Sequence, residues 1–80
     1  MYAILDARKL GEKEQAHSYL QEVFMFPDYY GRNLDALYDC LTEISHLSVY
    51  ILHASEAGPY FEKVLSVLED ANCENLIVNR

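Results

Sequence analysis

Asp35 and Asp39 stand four residues apart, with Tyr38 between them and Thr42 just beyond. On a helix that turns about 100° per residue, these four side chains share one arc of roughly 100°. Leu34, Leu37, Cys40, Leu41 and Ile44 fill the opposite side, an ordinary core stripe in which Cys40 is a small apolar residue. Solvated helix faces usually mix Lys with Glu, whereas this one has two carboxylates one turn apart, a large aromatic and no Lys. Like charges at that spacing destabilise a helix by a few tenths of a kcal/mol. Tyr29 and Tyr30 lie in the loop just before. Carboxylates accept from Arg and Lys, and tyrosines are rigid anchors with little entropy to lose, so the set suits a protein interface. A plainer reading is also open: the tyrosines pack over a sheet edge and the aspartates are merely solvated.

Catalysis fits these residues poorly. Asp35 and Asp39 on an exposed helix face have nothing nearby to set one apart as acid and the other as base, as an acid/base pair requires. His17, His46 and His53 show no ligand spacing and no nucleophile partner, and are expected as surface or edge residues. Helical aspartates do not form a calcium loop, and three isolated glycines do not cradle a phosphate. The expectation is a protein that is not an enzyme, without metal or cofactor.

The elements that must carry this face can be read from periodicity. Tyr2–Leu5 is an apolar run of strand length, and Val49–Leu52 and Leu76–Val78 are two more. Ala16, Tyr19, Leu20 and Val23 recur at helical spacing, predicting a helix over 12–24 that Pro27 ends. Asn33 is a good N-cap and Asp35 suits a first turn, so a second helix runs from there to about Ile44. Pro59 suits a first helical position, and Phe61, Val64, Leu65 and Leu68 mark a third helix ending near Ala71. Strands separated by helices pair in parallel through right-handed crossovers. The predicted fold is therefore a two-layer α/β arrangement in the order β-α-α-β-α-β, a three-stranded parallel sheet with helices mainly on one face. The predicted core is Ile4, Leu20, Val23, Leu34, Leu37, Leu41, Ile51, Val64, Leu65, Leu68 and Ile77.

Size and charge narrow the function classes. Eighty residues, 51% of them hydrophobic, suffice for a single domain spanning 1–80 with a modest core. The formal charge is −7, and residues 27–80 carry six of those charges, nine acids against Arg32, Lys63 and Arg80. Such a surface repels nucleic acid and anionic membranes and favours a basic partner. No basic segment followed by an apolar stretch opens the chain, and no apolar run reaches the ~20 residues of a membrane span. A cytoplasmic location with Cys40 and Cys73 reduced is expected.

The segment Pro27-Asp28-Tyr29-Tyr30-Gly31-Arg32-Asn33-Leu34-Asp35-Ala36-Leu37-Tyr38-Asp39-Cys40-Leu41-Thr42 resembles the signature of the barstar family, intracellular inhibitors of barnase-type ribonucleases. The three-stranded parallel sheet of that family agrees with the order derived above. The resemblance implies that the loop and second helix plug a ribonuclease active site. Asp39 would stand in for the scissile phosphate and engage the enzyme's Arg and Lys cluster, and Asp35 would accept from further donors. Tyr29, beside Tyr30, would pack on the catalytic histidine, while Gly31 permits close backbone approach. Asn33, Leu34, Tyr38 and Thr42 would complete the surface, Tyr38 where the family commonly has Trp. Asp70 is matched loosely to an acidic contact on the third helix. Arg32 adds a positive charge to the binding loop, which a basic partner tolerates only if the side chain points away. The partner implied is a basic, extracellular-type ribonuclease or related toxin, held by a monomer in a 1:1 complex. The alternative is an interaction module of this fold directed at a different basic protein or a toxin that is not a ribonuclease.

Overall fold

The computed structural model describes residues 1–80. Strand β1 (Tyr2–Asp6) runs through a 3₁₀ turn at Ala7–Lys9 into helix α1 (Lys13–Phe24), followed by α2 (Leu34–Thr42). Strand β2 (Ser48–Leu52), a second 3₁₀ turn at Ala54–Glu56, helix α3 (Phe61–Asp70) and strand β3 (Asn75–Val78) complete the chain. The sheet is parallel in the order β1-β2-β3, giving the expected α/β, β-α-α-β-α-β architecture. Pro59 lies in the turn before α3, whose N-cap is Tyr60, rather than at the first helical position.

Register decides which strand residues meet the helices. Ala3 pairs with Val49 and Val49 with Leu76; one step along, Leu5 pairs with Ile51 and Ile51 with Val78. These rows form the inner face: Ala3, Leu5, Val49 and Ile51 are buried, and Leu76 and Val78 pack against the core from its margin. The row between them, Ile4–Tyr50–Ile77, points the other way. Ile4 is 64% exposed and Ile77 47%, which corrects their placement in the core. Side chains alternate along a strand, so Ile4 and Ile51, whose partners lie one residue out of phase, cannot share a face. Short, unbroken apolar runs conceal that phase.

Leu37 and Leu41 of α2 and Phe61, Val64, Leu65 and Leu68 of α3 are buried as expected, with Leu34 and Cys40 half-buried beside them. Helix α1 is rotated about its axis from the expected setting. Ala16, His17, Leu20 and Phe24 are its buried residues, while Tyr19 and Val23 sit at the margin. Tyr19 still earns its place there, since its hydroxyl accepts from the Asp6 N–H at 2.9 Å and ties α1 to the end of β1.

The approach to α3 depends on two glycines in backbone contact. A Cβ on Gly11 would come within 2.6 Å of the Gly58 nitrogen. The Gly11 carbonyl accepts from the Tyr60 N–H at 3.1 Å, fixing Tyr60 where α1 can reach it. The phase of β1 is directly testable by urea unfolding. Leu5→Ala should cost about 2–5 kcal/mol as a core truncation. Ile4→Thr, one residue earlier, should change stability by no more than about 0.5 kcal/mol.

Candidate functional site

Asn33 starts α2 with both ends of its amide. Its Oδ1 accepts from the Ala36 N–H at 2.8 Å, and its Nδ2 donates to the Gly31 carbonyl at 3.2 Å. An Asn cap of this kind contributes roughly 1 kcal/mol. The side chain is thereby spent on the scaffold, which limits what Asn33 itself offers a partner. Gly31 is closely approached: a Cβ there would lie 3.1 Å from the Ala36 Cβ and 3.3 Å from Asn33 Nδ2, so those side chains would have to give by a few tenths of an ångström. Thr42 Oγ1 likewise donates within its own helix, to the Asp39 carbonyl at 2.9 Å.

The two tyrosines of the loop have different fates. Tyr29 is 87% exposed. Tyr30 is buried, which corrects its expected role as an exposed anchor beside Tyr29. Its hydroxyl lies 2.7 Å from His17 Nδ1, and the Tyr60 hydroxyl lies 2.7 Å from His17 Nε2. His17 has no exposed surface, so the expectation of a surface or edge histidine fails. An imidazole facing the core needs both nitrogens satisfied, and two phenols supply that. Burial holds the Tyr30 phenol well above its ordinary pKa, so it stays protonated.

Other groups brace the same loop. Gln21, one turn after His17, donates from Nε2 to the Pro27 carbonyl at 3.0 Å and accepts at Oε1 from the Arg32 guanidinium at 3.1 Å. Phe26 packs on Tyr30 with ring centroids 4.8 Å apart and stacks on Phe24 at 5.4 Å. Arg32 adopts a left-handed backbone, φ 53°, that aims its side chain at α1 rather than at the α2 face. The positive charge in the loop is therefore turned away from Asp39. His17, Gln21 and Phe26 brace the loop; from sequence His17 is expected at the surface or an edge, and Gln21 and Phe26 carry no assigned role. The i, i+4 pair His17 and Gln21 beside a predicted loop was the available signal.

On the outer face of α2, Asp35, Tyr38 and Asp39 are all exposed. The ion pairs of the molecule join Arg8 to Asp6, His46 to Glu74, His53 to Glu56 and Arg80 to Glu62. Neither Asp35 nor Asp39 takes part, so their oxygens remain available as acceptors. Asp6 shows the contrast, since its hydrogen bonds from Arg8 hold its pKa down at about 2. Lys13 and Lys63 line the groove in which Asp35 sits, whereas Asp39 borders an apolar groove with no basic residue. Asp70, exposed at the end of α3, lines neither groove and is not brought together with the α2 face.

Buried phenols and an imidazole thus brace the loop from beneath, and the adjoining helix presents carboxylates that pair with no cation of the molecule. Its lineage is clear from comparison: residues 1–76 match the family described as Barstar (barnase inhibitor), and the chain belongs to that family. It is 39% identical over 77 aligned residues to a Bacillus subtilis (strain 168) protein named "Putative ribonuclease inhibitor YrdF", covering 89% of this chain and 85% of that one. Family and relative together support a ribonuclease-inhibitor-like function.

The His17 environment carries a pH signature. Burial, reinforced by the Lys13 and Arg32 charges, lowers its pKa below the ordinary 6.5. Well above pH 6.5 the ring is neutral in folded and unfolded chains alike, and its contribution to stability is complete. As pH falls below 6.5 the unfolded chain binds a proton that the folded chain refuses, so stability is lost until the folded pKa is passed. Urea midpoints should drop between pH 7.5 and 5.5 in the parent. His17→Gln should remove this part of the drop, and an unchanged pH dependence would contradict the assignment.

Proposed function

We propose that this protein inhibits a barnase-type ribonuclease by inserting the Tyr29 loop and the outer face of α2 into the enzyme's cationic active site. The observation that carries the reading is the pair Asp35 and Asp39, exposed, one turn apart and free of any ion pair within the molecule. A site built to hold RNA phosphates presents Arg and Lys at fixed positions, and carboxylates on a rigid helix can take the places of those phosphates. Asp39, with no Lys lining its groove, is the main phosphate mimic, and Asp35 accepts from donors nearer the start of the helix. Tyr29 supplies the exposed aromatic anchor and Tyr38 a second, on the same side as the aspartates.

Tyr30, Gly31 and Asn33 act mainly by shaping the loop, and Leu34 and Thr42 border the contact. Because the loop is braced before any partner arrives, little conformational entropy remains to be lost on binding. The protein acts without chemistry of its own, as a monomer, one copy per enzyme. Its partner is a basic ribonuclease of the extracellular type. The cytoplasm is where such an inhibitor shields the RNA of the cell that makes the nuclease.

Mixing the purified chain with a barnase-type ribonuclease should abolish RNA cleavage near a 1:1 ratio. Cleavage that persists at micromolar inhibitor rejects the reading and directs the search to another basic protein, by pull-down. Asp39→Ala should weaken inhibition about 30-fold or more, as expected when one member of a desolvated charge pair is removed. Glu12→Ala, at the start of α1, should leave it within about threefold. Added salt should slow association steeply while barely changing dissociation, the behaviour of electrostatic steering. A salt-independent on-rate would mean that the acidic surface does not guide the encounter.

A further inference from the structure

Beside Asp39 runs a groove of about 390 Å³, walled by Phe24, Phe26, Cys40 and Ile44, with Met25 and Tyr29 at its lip. Two acids border it, Asp39 and Glu43, and none of its lining residues is basic. We propose that this groove receives one arginine side chain of the partner ribonuclease, which makes Glu43 a specificity-determining residue. The inference rests on the inhibitor reading above and extends it one helical turn beyond Asp39.

Shape and charge together select the occupant. Side chains four apart on a helix have Cβ atoms about 5–6 Å from each other, close enough for one guanidinium to engage both carboxylates. Glu43 closes α2 as its C-cap and, like Asp39, takes part in no ion pair within the molecule. An apolar wall would be a poor seat for a compact, strongly hydrated ammonium. It suits the methylene stem of arginine, and the Tyr29 ring offers a face on which a guanidinium stacks. An apolar or aromatic occupant would instead strip water from two carboxylates and give them nothing in return. The thiol of Cys40, at the groove wall, is pushed up in pKa by burial and then by Glu43 and Asp39, so both fields converge on this space.

The groove is also formed in advance. The left-handed backbone of Met25, φ 57°, carries its side chain outward to 85% exposure at the rim. Phe24 and Phe26 stack nearly parallel, 13° apart, and Tyr30 is pinned by His17 behind them. The groove is continuous with the proposed docking face through Tyr29, Gly31 and Asp39. It differs from the Asp35 groove, where Lys13 and Lys63 already provide positive charge.

The test compares the parent with Glu43→Gln, Glu43→Lys and the control Glu69→Gln on α3, measuring inhibition of a barnase-type ribonuclease and thermal unfolding of each free protein. Glu43→Gln should weaken inhibition about tenfold and Glu43→Lys about 30-fold or more, through faster dissociation. Glu69→Gln should stay within about twofold. A lysine at the end of α2 is favourable to the helix dipole, so Glu43→Lys should unfold no earlier than the parent. A merely structural residue would not lose binding while keeping stability. Double-mutant cycles between Glu43→Gln and alanine variants of each arginine, lysine and histidine around the enzyme's active site should find strong coupling to one arginine. Parent-level inhibition by Glu43→Lys overturns the inference while leaving the inhibitor reading intact. Coupling to a lysine, to a histidine or to none overturns it as well. Failure of the parent itself to inhibit brings down both.

Discussion

The imidazole of His17, held between the hydroxyls of Tyr30 and Tyr60, is the contact on which the shape of the loop before α2 depends. It joins three parts of the chain that are remote in sequence: the middle of α1, the loop before α2 and the cap of α3. Both bonds are 2.7 Å and the ring is fully buried. Buried polar groups of this kind are costly when incomplete and strongly orienting when complete. No buried side-chain nitrogen or oxygen is left without a partner in the molecule. Tyr30 is therefore held inward, and the loop that displays Tyr29 takes its shape from that contact.

Around that contact the molecule separates rigid support from unsatisfied charge. Gln21, Asn33 and the Gly11–Gly58 contact spend their hydrogen-bonding or steric capacity internally. Asp35, Asp39 and Glu43 do not, although pairing them with lysines at helical spacing would have strengthened α2. Asp39 and Glu43 thus border the apolar groove with their carboxylates unpaired, whereas Asp35 shares its groove with Lys13 and Lys63. Arg32 agrees with that division, because its charge is tied to Gln21 on the α1 side of the loop.

Much of this was legible in advance, for identifiable reasons. The helices of α2 and α3 declared themselves because their apolar residues recur at helical spacing over two or more turns, and Asn33 behaves as its chemistry predicts. The strands were legible as strands but not in phase, so Ile4 and Ile77 were assigned to the wrong side of the sheet. In α1 the misjudged rotation hid His17, since a polar residue between Ala16 and Ser18 looks solvated until its partners are known. The burial of Tyr30 is not legible for the same reason: its partners lie 13 residues before it and, through His17, 43 residues beyond that histidine.

The sequence by itself determined the order of the elements, the acidic face of α2 and the family signature, because periodicity, capping and local charge are properties of neighbours along the chain. Tertiary structure alone decided which face of the sheet is open and which of two adjacent tyrosines is displayed. It also decided that Arg32 turns away from the aspartates and that Asp39 and Glu43 share the rim of one groove. Each of those outcomes rests on strand register, helix rotation or a hydrogen bond between distant segments, and such relations exist only once the chain has folded upon itself.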